Sequence, residues 1–149
     1  MRTELAYRVY SRWPENGDGW IHPADIRLAR RLIPSTRVFR YDGREGPYLL
    51  LSYGKHRLRV RPTMRQAIRG DGFDLGDQVE VCSKLGKNRP FVATISEMRW
   101  NARYRVIHYQ LRRRNMTLAR PYTADDFRAV DDRAHFPALL PSNASARIS

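Results

Sequence analysis

Residues 104–111 read Tyr-Arg-Val-Ile-His-Tyr-Gln-Leu. Apolar side chains recur here at Ile107, Tyr109 and Leu111, and a period of two residues is typical of a strand that buries one face. The same period occurs earlier in the chain, where it is kept by Val79 and Val81 and by Phe91, Ala93 and Ile95. We therefore predict that these side chains form the core of a β structure.

The second half of the chain reads as β structure throughout. Its strand candidates are Gln78–Ser83, Phe91–Met98, Tyr104–Leu111 and Thr117–Arg120, followed by a short turn at Thr123–Phe127. Strands this short, joined mostly by short turns, favour a small barrel that closes its own edges.

The first half reads as a β-meander with one α-helix. The helix is predicted over Pro23–Ile33, because proline suits a first turn, Asp25 favours the positive end of the helix dipole and Pro34 ends the helix. Four strand candidates and two hairpin turns follow the helix. The strands are Arg37–Tyr41, Tyr48–Tyr53, Arg57–Arg61 and Met64–Ile68, and the turns are Asp42-Gly43 and Tyr53-Gly54-Lys55.

A Gly-Asp-Gly-aromatic turn motif occurs at residues 17–20 and again at residues 70–73. Glycine supplies positive φ angles in such turns and aspartate bonds the neighbouring backbone, so the second copy marks a boundary. The chain is therefore predicted to have three parts. They are a meander-plus-helix module at residues 1–72, a barrel at residues 73–130, and a mostly flexible tail at residues 131–149. A fragment of residues 74–135 is predicted to fold alone.

The barrel prediction is reinforced by a family resemblance. The string Gly76-Asp77-Gln78-Val79-Glu80-Val81, then Ala93-Thr94-Ile95, then Tyr104…Val106…Tyr109, then Asp126-Phe127-Arg128, resembles the strand order of Tudor/agenet-type SH3-like barrels. The resemblance covers residues 74–130 and does not extend to the first half. Members of this broad group bind methylated side chains through aromatic cages, or bind RNA and DNA through basic loops.

The formal net charge of +13 indicates an acidic partner. Lysine and arginine together number 28 against 15 acids, and all but Lys55, Lys84 and Lys87 are arginine. Such a surplus raises the local concentration of polyanions and favours nucleic acid or acidic surfaces. A genome whose base composition favours arginine codons would explain arginine over lysine, but not the excess of bases over acids.

The predicted nucleic-acid site centres on residues 99–120, which contain no acid. Arginine forks bond phosphate oxygens, and aromatic rings stack on unpaired bases. The alternative is that the aromatic side chains are core and the arginines form a solvated rim. The candidate residues are Arg99, Trp100, Arg103, Tyr104, Arg105, Arg112, Arg113, Arg114 and Arg120.

A second candidate stripe consists of Arg57, Arg59 and Arg61, which alternate with apolar residues and so share one strand face. An ordinary exposed strand face explains this pattern equally well. Arg27, Arg30 and Arg31 on the helix are interpreted as solvated, since they lie opposite its apolar side.

The sequence offers little for catalysis, cofactors or metals. Its four histidines lack metal-ligand spacing, Cys82 has no second thiol, and glycine-rich phosphate loops are absent. The longest apolar run, Tyr48–Leu51, is far shorter than the ~20 residues of a membrane span. With no signal peptide read at the start, we expect a cytoplasmic protein that is not an enzyme, binds no cofactor or metal and does not enter a membrane.

These observations predict a non-catalytic nucleic-acid-binding protein. RNA, alone or in a ribonucleoprotein, is preferred over duplex DNA, because no helix has the pattern of a recognition helix. The alternative is an SH3-like protein–protein interaction module that binds an acidic partner. A methyl-lysine cage built from Phe91, Trp100, Tyr104 and Tyr122 is a third hypothesis, which the surrounding positive charge disfavours.

Overall fold

The computed structural model describes residues 5–13, 17–64, 67–82 and 89–130. Within these ranges the chain is mainly β, as the sequence predicts, with ten strands in two antiparallel sheets of five. No helix in the described ranges is long and apolar enough to cross a membrane.

The first sheet has the strand order β4-β3-β2-β1-β5, so β2, β3 and β4 form the predicted meander and β1 and β5 extend it. One side of this sheet packs on helix α2, around a core that includes Ala29, Phe39, Leu51, Leu58 and Val60. The elements are β1 (Ala6–Arg8), α1 (Gly17–Trp20), a 3-10 turn (Pro23–Asp25), α2 (Ile26–Leu32), β2 (Phe39–Glu45), β3 (Tyr48–Tyr53), β4 (His56–Val60) and β5 (Ala67–Ile68).

The second sheet has the order β10-β6-β7-β8-β9. It begins as a meander, and its last strand then returns to pair beside its first. Its elements are β6 (Gln78–Val81), β7 (Phe91–Asn101), β8 (Val106–Arg113), β9 (Met116–Thr117), a 3-10 turn (Ala124–Asp126) and β10 (Phe127–Ala129).

Several boundaries in the first half differ from the sequence prediction. Strand Tyr48–Tyr53 and the turn at Gly54-Lys55 are confirmed. The prediction of a hairpin turn at Asp42-Gly43 is wrong, because Gly43 lies inside β2 at a β-bulge with φ 119°. Residues 17–20, where the sequence has a turn motif, form a single turn of α-helix. The predicted helix at Pro23–Ile33 is split into the 3-10 turn and α2.

The second half differs mainly in strand length. β7 runs three residues beyond the predicted Met98, β8 is shifted two residues later than predicted, and the Thr117–Arg120 candidate is reduced to Met116–Thr117. Strand β10 forms at the end of the segment where the sequence predicts only a turn. Its three residues are too few for a periodic signal.

The second sheet curls around its apolar face. In a flat sheet β8 and β10 would be separated by about 14 Å, since three inter-strand spacings lie between them. The rings of Tyr109 on β8 and Phe127 on β10 are nevertheless in contact, with centroids 5.1 Å apart. Among the described strands the outermost two, β9 and β10, each pair with one neighbour, so the curl does not close into a ring of paired strands.

The core of the second sheet is shared with the first half of the chain, whereas the first sheet and α2 enclose a second apolar cluster. Tyr7, Val9 and Val38 come from the first half of the chain but are buried in the same apolar cluster as Val79, Ile95 and the other inward residues of the second sheet. A fragment that starts at residue 73 lacks these three side chains. The boundary near residue 72 stays a prediction, and the predicted tail, residues 131–149, lies outside the described residues.

Gly70 lies at this shared core and should not tolerate a side chain. A Cβ at Gly70 would overlap the Tyr7 ring, which is buried and held by a hydrogen bond from its hydroxyl to the Phe73 carbonyl. We expect Gly70→Ala to lower the free energy of unfolding by about 1–3 kcal/mol, the usual cost of overpacking. Gly19→Ala is the control, since no atom lies within 4 Å of its Cβ position. Equal denaturation midpoints for the two variants would contradict the shared core.

Candidate nucleic-acid interface

The loop between β7 and β8 carries one group of the predicted residues, here named the hairpin tip (Arg103, Tyr104 and Arg105). The Tyr104 backbone N–H donates to the Asn101 side-chain oxygen at 3.0 Å, which fixes the loop. The Tyr104 ring is 65% exposed, and the Arg103 guanidinium carbon lies 5.3 Å from its centroid. The hairpin tip therefore presents a free ring face beside two cations.

The turn between β8 and β9 carries a second group, here named the distal turn (Arg112, Arg113 and Arg114). All three side chains are exposed. The Arg113 guanidinium carbon lies 4.5 Å from the centroid of the Phe91 ring, and Met116 beside the turn is 73% exposed. This end of the hairpin also combines cations with apolar surface.

The predicted stretch does not form one patch. Arg105 immediately precedes β8 and Arg113 ends it, so the two groups lie at opposite ends of that strand. At the rise of an antiparallel strand, the seven residue steps from Val106 to Arg113 correspond to about 24 Å. The arginines of the stretch at residues 99–120 are thus divided between two separate places, the hairpin tip and the distal turn.

The carboxylates are mostly engaged elsewhere. Within the described residues, no carboxylate forms an ion pair with any of the five arginines of the hairpin tip and the distal turn.

 The five arginines, Arg103, Arg105, Arg112, Arg113 and Arg114, therefore keep uncompensated charges. Between described residues the structure shows ion pairs of Arg30 with Asp18, Arg40 with Asp42 and Asp74, Arg59 with Asp25, Arg99 with Glu97, and Arg128 with Glu80.

The second candidate stripe is divided by one of these pairs. Arg57, Arg59 and Arg61 share the face opposite buried Leu58 and Val60, as predicted. The Asp25 carboxylate, however, accepts two hydrogen bonds from the Arg59 side chain, at 2.8 and 3.1 Å, and these bonds lower the pKa of Asp25. The stripe is therefore left with two uncompensated cations at its ends.

Arg99 and Trp100 are also less available than the sequence predicts. Arg99 donates to Glu97 at 2.8 and 3.1 Å. The half-buried Trp100 packs against the core of the second sheet, and its backbone N–H donates to the Thr36 carbonyl at 2.7 Å. Both residues support the hairpin more than they extend its binding surface.

The four aromatic residues of the cage hypothesis are dispersed. Phe91 begins β7, whereas Tyr104 lies in the loop beyond its other end. Tyr122 is buried against β8, and the Arg120 guanidinium carbon lies 4.1 Å from its ring centroid, where a cage would need an open face. These positions do not surround a common cavity.

Arg69 is a candidate that sequence reasoning missed. It is exposed just after β5 and lines a cavity of about 180 Å³ together with Arg105, Val106 and the 3-10 turn. Asp71 also lines this cavity and accepts a hydrogen bond from the buried Tyr109 hydroxyl at 2.7 Å. Only the tertiary fold brings Arg69 to the hairpin tip, so no local pattern identifies it.

The described residues contain no candidate metal site. In those ranges no three His, Cys, Asp or Glu side chains are grouped so that they could hold an ion. A larger cavity, of about 340 Å³, lies on the first sheet, but Asp25, Asp42 and Glu45 there face Arg57 and Arg59. Charges of both signs in one cavity indicate no particular ligand.

Comparison with known proteins places most of the chain in one family. The model of a family described as "Family of unknown function (DUF6960)" matches residues 1–128. No curated protein and no solved structure matches the chain.

Arg105 and Arg114 both have positive φ angles, 55° and 58°, where glycine is favoured. A side chain in this region costs about 1–2 kcal/mol, whereas glycine costs about 0.5–1 kcal/mol through its unfolded-state freedom. We therefore expect Arg105→Gly and Arg114→Gly to leave the free energy of unfolding unchanged or to raise it by up to ~1 kcal/mol. Denaturant titration measures this. A clear loss of stability would show that these two arginines are structural.

Proposed function

The chain belongs to the Family of unknown function (DUF6960), and we propose that it is a non-catalytic RNA-binding protein whose second half is an SH3-like barrel. One observation carries the proposal. The five arginines of the hairpin tip and the distal turn have no carboxylate partner among the described residues, and each group lies beside an exposed ring or apolar side chain.

The chemistry of these groups suits RNA with unpaired bases. Arginine guanidinium groups bond phosphate oxygens through two parallel N–H donors, and an exposed tyrosine ring is a stacking surface for a base. Cations and ring faces bind anions and bases, whereas catalysis would need a group that activates a nucleophile or transfers a proton. Binding without catalysis is therefore the function that this surface supports best.

Single-stranded or looped RNA is preferred over duplex DNA. Sequence readout in a duplex generally requires a helix or a β-ribbon that enters the major groove. Helix α2 has seven residues, and two of them, Ala29 and Leu32, are buried against the first sheet. The exposed Tyr104 ring instead suits bases that are already unstacked.

Two features of the second sheet support the SH3-like assignment. Strand β10 returns to pair with β6 after a 3-10 turn, and the sheet curls until the Tyr109 and Phe127 rings meet. A small barrel needs both a returning strand and strong curvature. In such a barrel the loops between strands are the natural place for binding residues.

A second candidate function is binding to an acidic protein surface. The observation that favours it is the exposed apolar area at the distal turn, where Met116 is 73% and Val92 48% exposed. Apolar side chains rimmed by polar residues are common in protein–protein interfaces. For location we propose the cytoplasm, since the thiol of Cys82 is free and exposed and would persist in a reducing compartment.

We expect the protein to bind single-stranded RNA with an affinity that falls steeply with salt. Each phosphate neutralised adds roughly 0.7 to the magnitude of the slope of log K against log salt concentration, so six contacts correspond to a slope of about −4. Replacing Arg112, Arg113 and Arg114 with alanine should make that slope shallower by about 2 and leave the melting temperature unchanged.

The matched control replaces Arg27, Arg31 and Arg44 with alanine. These three arginines are exposed on α2 and β2, and their loss lowers the net charge from +13 by the same three units, to +10. The control should keep the slope of the unchanged protein. A flat salt response, or binding to an acidic protein that RNA does not displace, would favour the second candidate function instead.

A further inference from the structure

We propose that one RNA strand lies along the outer face of β8 and is held at both ends, by the hairpin tip and by the distal turn. The inference rests on the proposed function and deepens it, because it specifies an extended single strand as the ligand. It follows from the side chains that connect the two arginine groups.

The outer face of β8 forms a track that is polar from His108 to Arg112 and begins at the exposed, apolar Val106. Ile107, Tyr109 and Leu111 are buried, so the alternate residues face outward. His108 and Gln110 are half-buried on that outer face, and Arg112 is exposed on it. Alternate residues of an antiparallel strand recur about every 6.8 Å, an interval close to that of successive phosphates in an extended polynucleotide.

The described residues beside β8 place no unpaired carboxylate on this face. His108 lies opposite Arg99 of β7, and Arg99 in turn forms a β-bridge with Arg37 on its other side. Glu97, opposite Gln110, is the carboxylate on this part of β7, and it is already paired with Arg99. A phosphate chain that follows β8 therefore meets no uncompensated carboxylate on the adjoining face of β7.

Both ends of the track can hold a base as well as a phosphate. Tyr104 offers its ring at the hairpin tip. The cavity beside it is lined by Arg69 and Arg105 but also by Asp71 and Asp125, so the ring and the exposed Arg103 carry the argument at this end. At the distal turn the Arg113 guanidinium lies over Phe91, next to exposed Met116. Folds that bind single strands contact about 4 to 16 nucleotides, and a track of about 24 Å lies at the short end of that range.

Two linked points of attachment predict a strong dependence on strand length. A strand that reaches both ends converts the second contact into an intramolecular one, which commonly raises affinity by 10²–10⁴-fold. A strand too short to reach both ends gains nothing from this effect. The additional binding positions on a longer strand give a smaller statistical gain, which every variant shares.

The test measures the affinity of the full chain for oligouridylates of about four and about twelve nucleotides, which span this range of site sizes. Two variants are compared with the unchanged protein: a tip variant, Arg103→Ala with Arg105→Gly, and a turn variant, Arg113→Ala with Arg114→Gly. The Arg27→Ala, Arg31→Ala pair on α2 is the matched control. Amide NMR spectra without RNA confirm that each variant is folded.

We expect the unchanged protein and the control to bind the longer strand about a hundredfold more tightly than the shorter one. Each end variant should lose most of that advantage, and the amide signals of His108 and Gln110 should shift when the longer strand is added. If only one end variant has an effect, or neither does, while RNA still binds, the strand does not follow β8. If neither strand binds at low salt, the proposed function itself fails.

Discussion

Strand β7 pairs with three different segments, and the rest of the molecule depends on that pairing. Its first residues pair with β6, and its later residues pair with β8. Beyond Gln78, the first residue of β6, residues 36–38 take its place along β7. The Val38 backbone N–H donates to the Met98 carbonyl at 3.0 Å, and the Trp100 backbone N–H donates to the Thr36 carbonyl. β7 is therefore a strand of the second sheet that also bonds the segment leading into β2 of the first sheet.

This pairing also determines where the arginines lie. Because β7 and β8 form a long hairpin, exposed residues are concentrated in its loop, at residues 102–106, and at its opposite end, at residues 112–116. The two ends tolerate charged side chains that the core would not. Six carboxylates of the described residues form ion pairs with arginines, and Arg40 bonds both Asp42 of β2 and Asp74. The exposed arginines at the two hairpin ends thus follow from the topology, and they add to unpaired arginines elsewhere, such as Arg57 and Arg61.

Sequence reasoning succeeded where the signal is local. The period of two at Ile107, Tyr109 and Leu111 corresponds to side chains that are buried on β8, and the apolar run at Tyr48–Tyr53 is a strand with the predicted bounds. It missed β1, whose three residues pair with β2 and β5, segments distant in the sequence. The sequence predicts a turn at Gly43 where the structure has a β-bulge, because glycine with a positive φ angle occurs in both turns and bulges.

In the candidate site, too, local features can be predicted from the sequence, whereas tertiary contacts cannot. The acid-free stretch of arginines is visible in the sequence, and the exposure of the distal turn agrees with it. The pairing of Arg59 with Asp25, 34 residues away, and the position of Arg69 at the same cavity as Arg105 depend on the fold. Spacing along a chain cannot reveal which charges another segment will neutralise.

Photocrosslinking of the full chain to a 4-thiouridine-containing RNA strand, followed by peptide mapping, would locate the bound strand. If RNA lies on the β7–β8 hairpin, crosslinks should concentrate in residues 102–108 and 112–116 and should diminish as salt rises. Crosslinks that fall mainly on α2 and strands β2 to β4, or that are spread evenly over the basic surface, would contradict a site at the hairpin ends.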